Sequence, residues 1–261
     1  MTIKKQLPDT LTYPTRQLPR WLSTLGLPML LASAMATAAP DFSGVWMAIS
    51  VVNPDGGSTA ANLSAAGQAR LAAYAAQFTE IPENGAACAG SGMPEVMMSL
   101  VSYPIEMVQN ASRILMVAEL ETQVRRVFID GREATPATFP TGVGFSSGHF
   151  EGDTLIVDTS LLEEWPVGRW PRSEAARIQE RFYLTSMDKI DAERSGFIAG
   201  VIPPLNDDVL VVDLTITDPA YYDGPQRRIA YYQRMPDDAT SEYACSRGLW
   251  YDDLENYRIS D

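Results

Sequence analysis

Between residues 105 and 235 the sequence is a succession of short apolar or alternating segments, separated by residues typical of turns. These strand-like segments occupy residues 105–109, 114–120, 124–129, 149–159, 178–185, 209–217 and 229–235. Within residues 149–159, Glu151-Gly152-Asp153 is typical of the tight turn of a β-hairpin. The regular alternation of strands and helices that Rossmann and TIM-barrel folds require is absent. The sequence therefore predicts a mainly β domain of roughly eight or nine strands, either an antiparallel barrel or a sandwich.

One strand and one helix precede these segments. Residues 41–52, in which DFSGVW is followed by an apolar stretch, predict the first strand. Residues 63–78 form the one convincing helical segment, in which Ser64 is placed to cap the N-terminus. On a helix of this register, Leu71, Ala75 and Phe78 share the face that we expect to pack on the domain.

The N-terminal 38 residues have the three parts of a signal peptide. Basic residues precede a nearly uncharged apolar run over residues 21–36, and Ala36-Thr37-Ala38 gives the small-x-small pattern that signal peptidase recognises. The run is shorter than the about 20 residues that a membrane span needs, with an uncleaved N-terminal anchor as the alternative. We expect cleavage after Ala38, a single β-rich domain over residues 39–261, and a periplasmic or secreted protein without a stable membrane anchor.

Charge and missing motifs exclude several function classes. The chain has a net charge of −13, so nucleic acid is not an expected partner. It lacks a Walker loop, a dinucleotide-binding fingerprint and the Gly-x-Ser-x-Gly elbow of serine hydrolases. One histidine and two distant cysteines do not make a zinc site. We expect no metal and no cofactor, and a small-molecule ligand or substrate as the partner.

The two cysteines, Cys88 and Cys245, lie far apart in the sequence. In an oxidising compartment two such cysteines usually pair, so export favours a disulfide between them. Two buried free thiols are the alternative. A bridge joining the early part of the domain to its end would favour one domain over two.

Two resemblances to known families follow from these motifs. Gly44-Val45-Trp46 resembles the first-strand Gly-x-Trp of lipocalin-like barrels. More of the chain is similar, in order and spacing, to a large family of uncharacterised proteobacterial secreted proteins. The matching segments are residues 103–106, 125–132, 148–159 (GHFEGDTLIVDT), 180–182 and 215–219. Typical members have Trp in place of Phe150 and often histidines around residues 170–174. The resemblance implies export and a β fold rather than a particular reaction.

Three residues are candidates for proton-transfer chemistry. His149 is the only histidine and has Glu151 and Asp153 close by, although a solvated strand histidine is the commoner case. Glu180 falls on the apolar face of its strand by alternation, so it needs a partner; an interior ion pair with Arg125 or Arg126 is the structural interpretation. Glu106 lies opposite the apolar face of its own short strand.

Four further residues are candidates for binding a ligand. Arg126 and Asp158 lie in strands and can face a cavity of the barrel. Trp165 and Trp170 lie in a loop, where aromatic rings can form a stacking wall for an apolar ligand or close one end of the barrel.

Three functions remain open on the sequence. The first is a protein that binds a small hydrophobic or aromatic molecule in a barrel cavity, which the paucity of nucleophile motifs favours slightly. The second is a cofactor-independent lyase, isomerase or hydrolase that uses His149, Glu106 and Glu180. The third is an envelope structural or interaction protein. A barrel supports each of them, so the convergence of His149, a carboxylate and an arginine on one cavity is the discriminating observation.

Overall fold

The computed structural model describes residues 39–77, 90–98, 103–190 and 207–240. Nine strands form the body of the described part. They are β1 (Gly44–Val52), β2 (Ile105–Gln109), β3 (Arg113–Ala118), β4 (Gln123–Phe128), β5 (Phe145–Glu151), β6 (Thr154–Ser160), β7 (Arg177–Ser186), β8 (Asp208–Thr217) and β9 (Gln226–Met235). Two α-helices, α1 (Ala65–Ala75) and α2 (Glu95–Met98), and two 3₁₀ turns, Leu120–Thr122 and Met187–Lys189, lie in the connections.

The strands form a closed barrel in sequence order, with β9 pairing back to β1. Every neighbouring pair is antiparallel except β4 and β5, which are parallel over two residue pairs. The prediction of a mainly β fold is confirmed, and of its two alternatives the structure is the barrel. A closed antiparallel barrel also fits the lipocalin-like resemblance of the first strand.

The parallel β4–β5 pair determines the path of residues 129–144. Because both strands run in the same direction, the chain must return from one end of the barrel to the other before β5 begins. The sequence predicts a loop over residues 133–148, and the structure starts β5 at Phe145, inside that range. The connections at residues 119–122, 161–176 and 218–225 lie at one end, which we call the mouth of the barrel; the connection from β1 to β2, described at residues 53–77, 90–98 and 103–104, starts and ends there.

Alternation along each strand separates the apolar interior from the outer face. In β8, Leu210, Val212, Leu214 and Ile216 are fully buried and belong to the main core. At the mouth, α2 closes over this core, and its Met97 and Met98 are fully buried. The Tyr232 hydroxyl donates to the Met97 carbonyl at 2.6 Å, which ties α2 to the strand β9.

The helix α1 begins where the sequence predicts. The Ser64 hydroxyl accepts from the Gly67 N–H at 2.9 Å, an N-cap of the expected kind. Of the predicted contact face, Phe78 lies outside the described residues; the prediction is wrong for Ala75, which is exposed, and Leu71 is only half-buried, whereas Gly67 is buried. A Cβ at Gly67 would lie 2.3 Å from the Tyr221 carbonyl oxygen, so the absence of a side chain permits this close approach.

Some of the predictions concern parts of the chain outside the described residues. The signal peptide over residues 1–38 and both cysteines, Cys88 and Cys245, are among them. These therefore stay predictions. Within the described ranges, the helices are all too short or too polar to cross a membrane.

Candidate functional site

Residues 165–172, which we call the tryptophan loop, lie at the mouth between β6 and β7. The loop is a small hairpin: the Trp165 N–H donates to the Arg172 carbonyl at 2.8 Å, and the Arg172 N–H donates back at 2.9 Å. Gly168, with φ of +79°, provides the left-handed turn. The two backbone hydrogen bonds at the base of this hairpin fix the positions of Trp165 and Trp170.

The tryptophan loop forms one wall of a cavity of about 340 Å³, which we call the tryptophan cleft. The opposite walls come from Ser91 and Glu95 and from Leu120 and Glu121 of the first 3₁₀ turn. Its volume lies at the lower end of the range of small-molecule sites, about 300–1,000 Å³, and such sites are typically apolar with a few convergent polar groups. The cleft has this composition.

Two buried arginines hold the tryptophan rings. Arg172, fully buried, has its Cζ 6.0 Å from the Trp165 ring centroid, and Arg228 has its Cζ 5.2 Å from that of Trp170. Each guanidinium donates to backbone carbonyls, Arg172 to Ser91 at 2.7 Å and Arg228 to Thr59 at 3.1 Å. Burial lowers the pKa of Arg172 to about 10, which still leaves it charged at neutral pH. Cation–π contacts of this kind restrain the rings.

The polar groups of the cleft are two carboxylates and one guanidinium. Glu95 has a side chain that is only 19% exposed, and its Oε1 lies 3.9 Å from Arg169 Nη1. Burial, with a smaller effect of the nearby Glu121 charge, raises the pKa of Glu95, whereas Arg169 acts to lower it. Glu121 accepts hydrogen bonds on Oε2 from the Ser91 N–H and from Gln123 Nε2, both at 2.8 Å. A carboxyl with a raised pKa beside a cleft is a common mark of a functional site.

A second polar cluster lies inside the barrel. Arg125 donates through Nη1 to Glu180 Oε1 at 2.9 Å and through Nη2 to the other oxygen of the same carboxylate. It also donates to Ser146 Oγ at 3.2 Å and to Thr159 Oγ1 at 3.0 Å. Because every charged atom of this pair has a partner, the cluster fits an interior structural ion pair.

The predicted catalytic residues do not converge on one cavity. Glu180 is buried inside the barrel, whereas Glu106 is only half-buried between the inward-facing Ile105 and Met107. The His149 side chain is 61% exposed near the β5–β6 turn, at the end opposite the mouth. Its Nε2 lies 3.4 Å from Glu151 Oε1, a distance at the limit of a hydrogen bond.

Of the four predicted ligand-binding residues, the structure brings together two. Trp165 and Trp170 both line the tryptophan cleft. Arg126 is exposed on β4, and Asp158 is exposed on β6, where it accepts from Gln179 Nε2 at 3.1 Å. Neither of the latter residues borders the cleft.

Sequence reasoning missed Glu95, Glu121 and Arg169. Glu95 lies in a four-residue helix, which is too short for its periodicity to be visible in the sequence. Glu121 adopts φ of +58° in a tight 3₁₀ turn between two paired strands. The one available signal was the density of tryptophan, arginine and glutamate over residues 163–172.

The described residues contain no group of three or more histidine, cysteine, aspartate or glutamate side chains that could hold a metal ion. No family model and no curated protein matches the sequence. Among solved structures, the chain is similar to an alanine mutant of the fluorescent protein UnaG. The TM-score is 0.34 and the identity 13%, over 75% of this chain and 96% of that one. The strand pairings themselves define the fold.

Proposed function

We propose that this protein binds a small molecule with an apolar or aromatic body in the tryptophan cleft. The observation that carries the proposal is the cleft itself, in which Trp165 and Trp170 meet a partly buried carboxyl, Glu95, within about 340 Å³. Trp170 is only 1% exposed, so the half-buried ring of Trp165 supplies most of the aromatic contact area, and because this ring is restrained it loses little freedom on binding. The sequence suggests a binding site in a cavity inside the barrel, whereas the site proposed here is the tryptophan cleft at the mouth.

The position of His149 favours binding over proton-transfer catalysis. It is the only histidine of the chain, and its exposed side chain lies at the opposite end of the barrel from the cleft. Glu180, the carboxylate most clearly singled out by the sequence, is fully engaged by Arg125 inside the barrel. Among the described residues, the enzyme alternative thus has its acid–base candidates in separate places.

The proposal includes export to the periplasm or beyond, with cleavage after Ala38. The basic, apolar and small-residue parts of residues 1–38 support it. Native mass spectrometry of protein purified from the periplasm tests this part: the mass expected is that of residues 39–261, and a mass retaining residues 1–38 would contradict it. A co-purified small molecule would at the same time report the chemical class of the ligand.

Titration with N-phenyl-1-naphthylamine, an uncharged probe that fluoresces in apolar sites, tests the binding function. We expect saturable fluorescence enhancement at one probe per chain. Trp165→Leu should weaken binding about tenfold, equivalent to about 1.4 kcal/mol, because one aromatic wall is lost. Thermal unfolding of this variant checks that the barrel persists.

The matched control is Val108→Ala, which removes an apolar group that is 47% exposed on the outer face of β2. Its affinity for the probe should equal that of the unmodified protein. Absence of saturable binding in the unmodified protein, or equal affinity in Trp165→Leu, would overturn the assignment of the cleft.

A further inference from the structure

We infer that the ligand of the tryptophan cleft carries a protonated amine, which Glu95 and Glu121 receive while the Trp165 ring contacts its apolar body. This inference rests on the proposed function and specifies its ligand class. The basis is that some oxygens of the two carboxylates accept hydrogen bonds from the protein, whereas others have no donor among the described residues.

Glu95 has acceptor capacity that the protein does not use. Its carboxylate is mostly withdrawn from solvent, and no hydrogen bond to either oxygen is present among the described residues. The nearest cation, Arg169 Nη1, lies 3.9 Å away. A withdrawn carboxylate without donors is costly, so a ligand that supplies donors and positive charge at this position gains the corresponding free energy.

Arg169, whose Nη1 lies at the long end of salt-bridge distance from this carboxylate, is also bound by a second segment. Its Nη2 donates to the Thr59 hydroxyl, and its carbonyl accepts from the Ala61 N–H at 3.1 Å. Both partners belong to the connection between β1 and α1. The arginine is therefore held toward that segment and leaves Glu95 incompletely neutralised.

Glu121 is held at the cleft by hydrogen bonds, in a strained backbone conformation. Glu121 and Thr122 have φ of +58° and +48°, in the left-handed region that residues other than glycine rarely adopt. Such strained positions are concentrated at binding sites, where the surrounding contacts maintain them. Oε2 of Glu121 accepts from Ser91 and Gln123, whereas Oε1 has no hydrogen-bond partner in the described part of the chain.

The charges of the cleft walls favour a cation over other ligands of the same shape. Two carboxylates face one guanidinium among the lining residues; Arg172 and Arg228, which contact the tryptophan rings, do not line the cleft and donate to backbone carbonyls. An ammonium supplies three donors, and aromatic rings add cation–π attraction where it approaches their faces. A neutral alcohol would supply one donor and no charge, and a carboxylate ligand would add a third negative charge.

Three ligands with the same indole body distinguish these cases: tryptamine, its alcohol analogue tryptophol and indole-3-acetate. Each is titrated by calorimetry and by displacement of N-phenyl-1-naphthylamine. We expect tryptamine to bind at least about tenfold more tightly than tryptophol, and indole-3-acetate to bind most weakly. Affinity for tryptamine should fall as the pH is lowered and Glu95 becomes protonated, whereas affinity for tryptophol should change little.

Glu95→Gln keeps the shape of the side chain and should remove the preference for tryptamine over tryptophol. Glu151→Gln, at an exposed carboxylate near the far end, is the matched control and should retain the preference. Three outcomes would overturn the inference: equal displacement by tryptamine and tryptophol, failure of all three ligands to displace the probe, or an unchanged preference in Glu95→Gln. In each of these cases saturable binding of the probe would still uphold the proposed function. Absence of probe binding would remove the proposed function itself.

Discussion

Two arginine–carboxylate pairs of this barrel differ in how completely their charges are satisfied. Inside the barrel, Arg125 and Glu180 are 1% and 0% exposed, and both carboxylate oxygens accept from the guanidinium. At the mouth, Arg169 and Glu95 are 38% and 19% exposed and are separated by 3.9 Å. In the interior pair every charged atom has a partner within the fold, whereas the pair at the mouth retains capacity for another molecule. A charged group in a barrel therefore indicates function only where its hydrogen bonds are incomplete.

The interior pair should show the largest effect on stability. Arg125→Met leaves Glu180 buried without its counter-ion and also leaves Ser146 and Thr159 without their donor. Removing one partner of a buried pair typically costs about 3–5 kcal/mol, so we expect a loss of this size in the free energy of unfolding. Urea denaturation followed by circular dichroism measures it.

The double variant Arg125→Met/Glu180→Met sharpens the comparison. With both charges removed, most of the lost free energy of unfolding should return, because apolar side chains of similar length can fill the same space. A loss below about 1 kcal/mol in the single variant would contradict the interpretation, since it would mean that solvent reaches Glu180.

Period-two alternation explains why the interior pair could be predicted. Ile178 and Phe182 flank Glu180 on the same face of β7, so the sequence alone indicates a carboxylate among apolar neighbours. Arg125 follows the same rule on β4, where Val127 is the next inward residue. The sequence left Arg126 as an equal candidate, because the register between β4 and β7 is set across β5 and β6 and has no local signal.

The site at the mouth was only partly predictable, because connections rather than strands assemble it. Trp165 and Trp170 were accessible to prediction, since aromatic residues in a loop of an otherwise β-rich chain are conspicuous. Glu95 lies in the short helix α2 and Glu121 in the 3₁₀ turn between β3 and β4, so their positions depend on the fit of α2 over the core and on how β3 and β4 pair. Arg172 is fully buried against carbonyl groups, contrary to the usual exposure of arginine.

At the mouth, the charge of Glu95 should reduce stability at neutral pH. Burial raises the pKa of Glu95, so the folded protein holds this proton more tightly than the unfolded chain does. The stabilisation from that proton is complete below the unfolded pKa, about 4.3, and is lost as the pH rises through the folded value. Glu95→Gln should therefore gain stability relative to the unmodified protein at pH 8 and gain less at pH 4, in thermal unfolding at both pH values.

Glu151→Gln again provides the control, because its carboxylate is 59% exposed. Its melting temperature should follow that of the unmodified protein at both pH values. If the melting temperature of Glu95→Gln differs from that of the unmodified protein by the same amount at pH 4 and pH 8, the Glu95 charge does not destabilise the ligand-free fold. The charge of Glu95 would then be as well compensated as that of Glu180.

The smallest effect on stability and on probe affinity is expected for a substitution of His149, which belongs to neither of the two arginine–carboxylate pairs. Its side chain is 61% exposed, and exposed ion pairs contribute about 0–1 kcal/mol. His149→Ala should change the free energy of unfolding by less than about 0.5 kcal/mol and leave the affinity for N-phenyl-1-naphthylamine unchanged. A loss of probe affinity would mean that the far end of the barrel communicates with the mouth. A different outcome is that the unmodified protein catalyses a reaction and that His149→Ala abolishes this reaction without loss of stability. The end of the barrel that carries His149 would then be catalytic. The barrel would have two functional sites, of which incomplete hydrogen bonding identifies only the cleft.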